Sequence, residues 1–291
     1  SGDFFQLPPV KEITFCFESP NFISCFNKII NLTKIYRQTD IIYKNLLLNM
    51  RKGKITKKSI EILNSKIIKT SEEENNNKIT RLVPTKAKAN KINEYFLDKI
   101  DNEKYTYKRH YKNTTENLTK TEKFKLDLMS DREKEAEYNF LKNSTLTEEN
   151  LTLKIGAYVM CIANLDLATG IANGTTGIIV AFTPDGNPLV KFDKHEKEVV
   201  IGKKEWKSEN VPGISLYQIP LILAWGMTIH KAQGLTLEKT IIDIGSDLFE
   251  AGQMYVALSR LKSLDGLYLQ YFNLNNLIIN AKVLKFYETL I

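Results

Sequence analysis

Cysteine is scarce in this chain of 291 residues: Cys16, Cys25 and Cys161 are the only three, and they form no CxxC. An odd, scattered set excludes a disulfide framework and a thiolate zinc site, and points to buried reduced thiols. Histidine is as sparse. His110, His195 and His230 stand far apart and suggest no metal cluster. No apolar run reaches the ~18 residues that a membrane-crossing helix needs. The first residues show no basic flank followed by an apolar stretch, so no signal peptide is visible and an intracellular protein is expected. Also missing is any G-x-x-x-x-G-K-[ST], the loop whose amides cradle a triphosphate. "GIANGTTG", 170–177, does not replace it. Its spacing is wrong and it lies between β-rich runs, which marks turn glycines.

What is present is an ordinary composition, 43% hydrophobic and 26% charged, in a chain long enough for two or three domains. Lys and Arg outnumber Asp and Glu by 41 to 34, a net charge of +7. That excess is compatible with a polyanionic partner without demonstrating one.

Along the chain, "SGDFFQLPPV" reads as a loop that follows a buried strand, with the strand itself missing. "KEITFCFES" alternates in part. "NFISCFNKIINLTKIYRQTD" predicts a helix-like segment and then a short strand ending at Arg37-Gln38. Helical periodicity with Ile41, Leu46 and Leu47 continues to about residue 67. "ITRLVPT" reads as a buried strand, and the following helix places Ala89, Ile92, Phe96 and Ile100 along one stripe. Residues 101–150 are polar and weakly periodic, a solvated excursion with one helix near 131–141.

The texture then changes to short β-rich runs separated by Gly, Asn, Asp and Pro, which predicts a small antiparallel barrel or sandwich. After it come a strand ending at Trp225, a loop, the strand "KTIIDIG", the helix "DLFEAGQMYVALSR" and the strand "GLYLQYF". Strand–helix alternation argues for a parallel sheet, so the expected class is α/β with a β module inserted.

Two stretches carry candidate chemistry. In "WGMTIHKAQGLTL", Thr228, His230, Lys231 and Gln233 precede Gly234 just after a strand, where α/β sheets bind ligands. Alternatively His230 and Gln233 satisfy loop backbone groups, and Lys231 faces solvent. In "GQMYVALSRLKSLDGL", Gln253, Val256 and Arg260 share a helical face by spacing. An Arg there is either a surface cation favoured by the helix dipole or a bidentate phosphate ligand.

Taken in order, "GDFFQLPPV", "LTKIYRQTD", "RLVPTKAKANKIN", "LKIGAYVMCIANLD", "QIPLILAWGMTIHKAQGLTLEKTIIDI" and "GQMYVALSRLKSLDGLYLQYF" resemble the Pif-type (petite integration frequency) DNA helicases of superfamily 1B, relatives of RecD and Dda. The resemblance is weakest across 101–150, and Gly226 stands where relatives often have Ala.

The resemblance implies two RecA-like lobes that clamp ATP and Mg2+, with single-stranded or forked DNA as partner. This chain would supply the tail of the first lobe (1–20), the second lobe (21–150 with the polar insertion 101–150, then 214–291) and an SH3-like β subdomain (151–213). It would be the C-terminal portion of an ATP-dependent 5′-to-3′ helicase, inactive as an ATPase without the first lobe, which would hold most of ATP and Mg2+. A stand-alone single-strand-binding or regulatory fragment is the alternative. By position, Gln6 would sense the γ-phosphate and Asp3 would lie near the attacking water. Arg37 and Arg260 would point at the γ-phosphate. Gln233, Gly234 and Gln253 would face the nucleotide. Thr228, His230 and Lys231 would meet the DNA backbone, as would Lys203, Lys204 and Trp206 on the β subdomain. For these last three a solvated basic turn, with Trp206 plugging the barrel, stays open; Tyr95 and Phe96 are further stacking candidates, with helix core as the alternative for Phe96.

Overall fold

A computed structural model describes residues 2–8, 14–69, 77–166, 168–193, 195–245 and 247–290. The helices are α1 (Ile41–Arg51), α2 (Lys57–Ser65), α3 (Lys86–Asp98), α4 (Lys120–Leu128), α5 (Asp131–Ser144), α6 (Gln253–Leu258) and α7 (Ala281–Glu288). The strands begin with β1 (Thr80–Val83), β2 (Tyr105–Lys108), β3 (His110–Asn113), β4 (Asn150–Leu153) and β5 (Tyr158–Cys161). Then follow β6 (Thr176–Phe182), β7 (Pro188–Phe192), β8 (Val199–Val200), β9 (Lys204–Lys207) and β10 (Ile214–Gln218). The last are β11 (Leu221–Leu223), β12 (Gly226–Thr228), β13 (Thr240–Ile244) and β14 (Leu267–Phe272). The chain divides into two compact units: Ser1–Ile92 with Gly226–Ile291, and Asn93–Trp225.

The first unit is built on a four-stranded parallel sheet of order β12-β1-β13-β14. Every residue of β1 and β13 is buried, as expected of parallel strands covered on both faces. Helix α6 packs on β13, α2 on β14, and α1 on α6. The N-cap Asp40 starts α1 by accepting from the amides of Ile42 and Tyr43. Its buried stripe is Tyr43, Leu46, Leu47 and Met50; Ile41, expected to join it, is 73% exposed. The periodic stretch expected to continue to residue 67 breaks into two helices at 52–56.

Between residues 14 and 39 the structure departs from the sequence reading. Among the described residues there is no helix over 21–38 and no strand ending at Arg37. Two short 3-10 turns, Cys16–Glu18 and Ile23–Cys25, wrap an aromatic cluster instead. Phe4 packs edge-on to Phe15, Phe17 and Phe286, and Phe17 stacks on Phe286 of α7. Ring packing there outweighs local propensity. Leu32 is 84% exposed, and without a neighbouring strand its β-rich segment has nothing to pair with. The partial alternation read into "KEITFCFES" begins at residues outside those described.

A second departure decides where the ligand-facing loop begins. The apolar strand expected to end at Trp225 is split. Leu221–Leu223 pairs antiparallel with β5 in the second unit, whereas Gly226–Thr228 pairs parallel with β1. Gly226 is required by close packing: a Cβ there would lie 2.7 Å from the Ala89 carbonyl oxygen of α3.

Among the described residues the second unit holds three antiparallel sheets: β2-β4, β3-β10-β9, and the five-stranded β11-β5-β6-β7-β8. Gly170 and Gly174 adopt positive φ between β5 and β6, as turn glycines do. The polar stretch 101–150 is more ordered than its composition predicts. It forms β2, β3, α4 and α5. Both helices start with capping boxes, Thr119 with Glu122 and Ser130 with Glu133. Each then needs only one buried leucine, Leu126 and Leu141, against Ile214 and Leu216 of β10. That is why an average over the stretch shows so little periodicity. Phe96 is core, stacked 5.7 Å from Trp225, while Tyr95 is 50% exposed.

No helix among the described residues is long and apolar enough to cross a membrane.

Candidate functional site

The carboxyl ends of β12, β1 and β13 lie side by side, with β12 and β13 flanking β1. Because the strand order reverses at β1, this is the crevice where open α/β sheets take their ligands. The loops from β12 and β13, the turn after α6 and the segment Asp3–Gln6 all belong to this unit.

Arg37 and Arg260 converge on Ser259, beside the segment 235–237 that leads from the β12 loop into β13, although 223 positions separate them in sequence. Arg37 Nη1 donates to the Ser259 carbonyl at 3.2 Å, and its Nε donates to Thr236 Oγ1 at 3.1 Å. Arg260 Nη2 donates to Ser259 Oγ at 2.7 Å, and its Nε to the Val256 carbonyl at 2.9 Å. Arg260 is not on the helix, as the sequence spacing implied: α6 ends at Leu258. It is 1% exposed, and its guanidinium is held by protein oxygens. Burial, and then the like charge of Arg37, push its pKa down to about 10. Arg37 is half-buried and also lowered, by desolvation. Among the described residues neither guanidinium is salt-bridged to a carboxylate. Two desolvated like charges of this kind gain most from an anion.

Gln6 meets Gln233 across the site, Gln233 Nε2 donating to Gln6 Oε1 at 3.3 Å. Gly234 follows, exposed, with φ +87°. Thr228 is buried at the end of β12 and its Oγ1 accepts from the Lys231 amide at 3.2 Å. His230 is half-buried, and burial lowers its pKa despite the opposing pull of Glu250. Its ring lies almost parallel to that of Phe249, at 16° and 6.1 Å between centroids.

Two expected nucleotide-facing groups are engaged elsewhere. Asp3 Oδ1 accepts from Arg51 Nη2 at 2.7 Å and from the Tyr287 hydroxyl at 3.2 Å. Arg51 itself lies against the rings of Phe5 and Tyr287, 4.4 and 5.0 Å from their centroids. Burial opposes the charge of Arg51, but its hydrogen bond to Asp3 overcomes this and raises its pKa. Gln253 is fully buried. Its Oε1 accepts from the amides of Phe249 and Glu250, at 3.1 and 3.3 Å, and its Nε2 has no partner. In this conformation Gln253 holds the loop before α6.

Gly252 joins that loop to Asp3–Gln6. Its φ is +79°, and a Cβ would lie 2.4 Å from the Phe5 carbonyl oxygen. No sequence signal marked Arg51, Ser259, Tyr287 or Phe249. Arg51 reads as one more basic residue at a helix end, and the others act through contacts that spacing does not encode.

In the second unit Lys203 and Lys204 line a cavity of about 770 Å3 that also includes Asp166, His195 and Val200. Trp206 does not share it, nor does it plug a barrel. It packs against the Leu126, Leu141, Ile214 and Leu216 cluster beneath α4 and α5. The three residues therefore do not form one surface.

A family model described as "DNA helicase Pif1, 2B domain" matches residues 138–182. The ATP-dependent DNA helicase Pif1 of Bdellovibrio bacteriovorus is 35% identical over 99% of this chain and 61% of its own length. The crystal structure of Pif1 helicase from Candida albicans superposes with a TM-score of 0.71 at 29% identity, covering all of this chain and 68% of that one. Bacteroides Pif1 bound to ssDNA gives a TM-score of 0.59 at 28% identity, over 99% of this chain and 65% of that one. The chain spans about half the length of the curated relatives it matches. In sequence and in backbone, this chain is similar over its whole length to Pif1 helicases.

Proposed function

We propose that the chain is the C-terminal motor portion of an ATP-dependent 5′-to-3′ DNA helicase. It comprises the last residues of a first RecA-like lobe, a second RecA-like lobe and an inserted SH3-like β subdomain. The observation that carries this reading is the meeting of Arg37 and Arg260 on Ser259, beside the Gln6–Gln233 contact.

Arg37 and Arg260 act as cations for the phosphoryl group under transfer. Charge spreads over its oxygens in the transition state, and donors fixed in a desolvated site stabilise that charge without reorganising. Arg260 must leave some of its backbone acceptors to do so, and a buried guanidinium held only by neutral oxygens gains by meeting an anion. Gln233 and Gly234 adjoin the nucleotide while Thr228, His230 and Lys231 adjoin the strand. One loop thereby serves both ligands, which is what energetic coupling requires. ATP and Mg2+ would be held mainly by the preceding lobe. No group of three or more His, Cys, Asp or Glu among the described residues is arranged to hold a metal. Mg2+ would neutralise the β- and γ-phosphate oxygens. Asp3 stays with Arg51 until closure and approaches the nucleotide only if that pair opens. Gln253 supports the site by fixing its loop. Lys203 and Lys204 add strand contacts from the β subdomain; Trp206 acts by supporting β9.

The test compares this chain alone with the chain joined to the N-terminal half that its relatives carry. The joined protein hydrolyses ATP when single-stranded DNA is added, and the chain alone does not. Turnover by the chain alone at the joined protein's rate would sink the reading. Nucleotide-independent strand binding by the chain, with no gain of turnover on joining, would favour a stand-alone binding module.

A further inference from the structure

Phe249 is 61% exposed on the loop that leaves β13, at the carboxyl end of the parallel sheet. A lone exposed aromatic is ordinary. This one differs because it is held in place. Its amide donates to Gln253 Oε1 at 3.1 Å, and Gln253 is fully buried. The loop is pinned at both ends. The Gly245 amide donates to Asp243 Oδ1 and the Gly252 amide to the Ile278 carbonyl, each at 3.1 Å. Behind the ring lies His230, at 16° and 6.1 Å between centroids. A flat ring, fixed at its backbone and backed by a second flat ring, presents its remaining surface at little cost in conformational freedom.

We propose that Phe249 is a stacking platform for an unpaired nucleobase, next to the backbone contacts assigned to Thr228 and His230. The proposal rests on the reading of the Thr228–Gly234 loop as strand-binding. The neighbouring charges favour a base over a phosphate at this position. Glu250 follows Phe249 and its charge reaches His230 as well, so the carboxylate disfavours a phosphate over the exposed ring and leaves an uncharged base as the better partner there. Stacking of this kind accepts any base, because each presents a π-face. The buried Gln253 gains a part here as well, since it fixes the height of the platform.

The experiment titrates the 291-residue chain with two fluorescent strands of equal length at low salt, oligothymidylate and a strand of abasic sites. Phe249→Ala and Phe249→Leu should each weaken oligothymidylate binding about tenfold. Both should leave abasic binding and the slope of log K against log salt unchanged, since no phosphate contact is lost. Phe249→Trp should bind the base-bearing strand at least as well as the unmodified chain. Equal weakening on both strands, or no weakening on either, overturns the platform while the strand-binding reading stands. Failure of the unmodified chain to bind either strand overturns both.

Discussion

Arg37 and Arg260 reach the same residue from opposite ends of the sequence, one donating to the Ser259 carbonyl at 3.2 Å and the other to its hydroxyl at 2.7 Å. Ser259 is 5% exposed, so the meeting point is inside the site rather than on its rim. In the joined protein, Arg260→Ala should lower DNA-stimulated turnover by roughly 10^3–10^5 while leaving strand affinity within a few-fold. Steady-state ATPase and fluorescence anisotropy measure the two quantities. Lost binding with normal turnover would reverse the assignment. Arg260→Lys should rescue little, because one ammonium cannot reproduce a planar fork of donors.

Arg51 makes a different kind of contact. It pairs with Asp3 and lies against both Phe5 and Tyr287, whose rings stack on each other at 4.6 Å. Arg51→Ala strips Asp3 of its ion pair and removes the cation packed against the two rings, so about 1–3 kcal/mol of stability should be lost in urea unfolding. Arg51→Lys should lose less, keeping charge but not the flat stack. In a double-mutant cycle with Asp3→Asn, the two changes should cost less together than their sum.

Gly252 tests whether the Asp3–Gln6 segment is fixed by backbone packing. Gly252→Ala meets a positive φ and the Phe5 carbonyl oxygen together, so a loss of about 1–3 kcal/mol is expected. Gly186 has φ +77° but open space around its Cβ position, so Gly186→Ala measures the cost of φ alone. A melting temperature no lower for Gly252→Ala than for Gly186→Ala would show that the approach to Phe5 is not constrained.

His230 gives the pH dependence. Its pKa in the fold is depressed, chiefly by burial, below the ordinary value of about 6.5. The unfolded chain therefore takes up the proton first as pH falls. Stability should be constant above the ordinary histidine value, decline as pH drops through it, and level off below the depressed pKa. His230→Gln should remove that part of the slope, as read from denaturant midpoints between pH 7.5 and 5 (buffers chosen on the order of the window the shift defines).

Much of the plan was legible before any coordinates. The buried strands at Thr80–Val83 and Thr240–Ile244 are apolar or β-branched except for Arg81 and Asp243, and α3 carries its stripe openly. The loop Thr228–Gly234 was legible because polar residues follow directly on a strand. Other features were hidden for particular reasons. Residues 221–225 are all apolar and run straight into Gly226, so no polar residue marks where β11 of one sheet hands over to β12 of another. Capping in α4 and α5 lies in Thr119, Glu122, Ser130 and Glu133, four residues that an average over a polar stretch dilutes away. The aromatic cluster around Phe4 draws partners from both chain ends, which no local window contains.

By itself, then, the sequence determined the strand cores, the parallel class and the residue types available for gripping a phosphate, because these depend on periodicity and side-chain chemistry alone. Tertiary structure decided which of those residues are free to act. It gathered Arg37 and Arg260 at Ser259, turned Gln253 inward to brace a loop, and gave Asp3 to Arg51. The physical reason is that burial and hydrogen-bond partners are set by neighbours distant in the chain, and they fix whether a charged or polar group faces a ligand or the protein's own backbone.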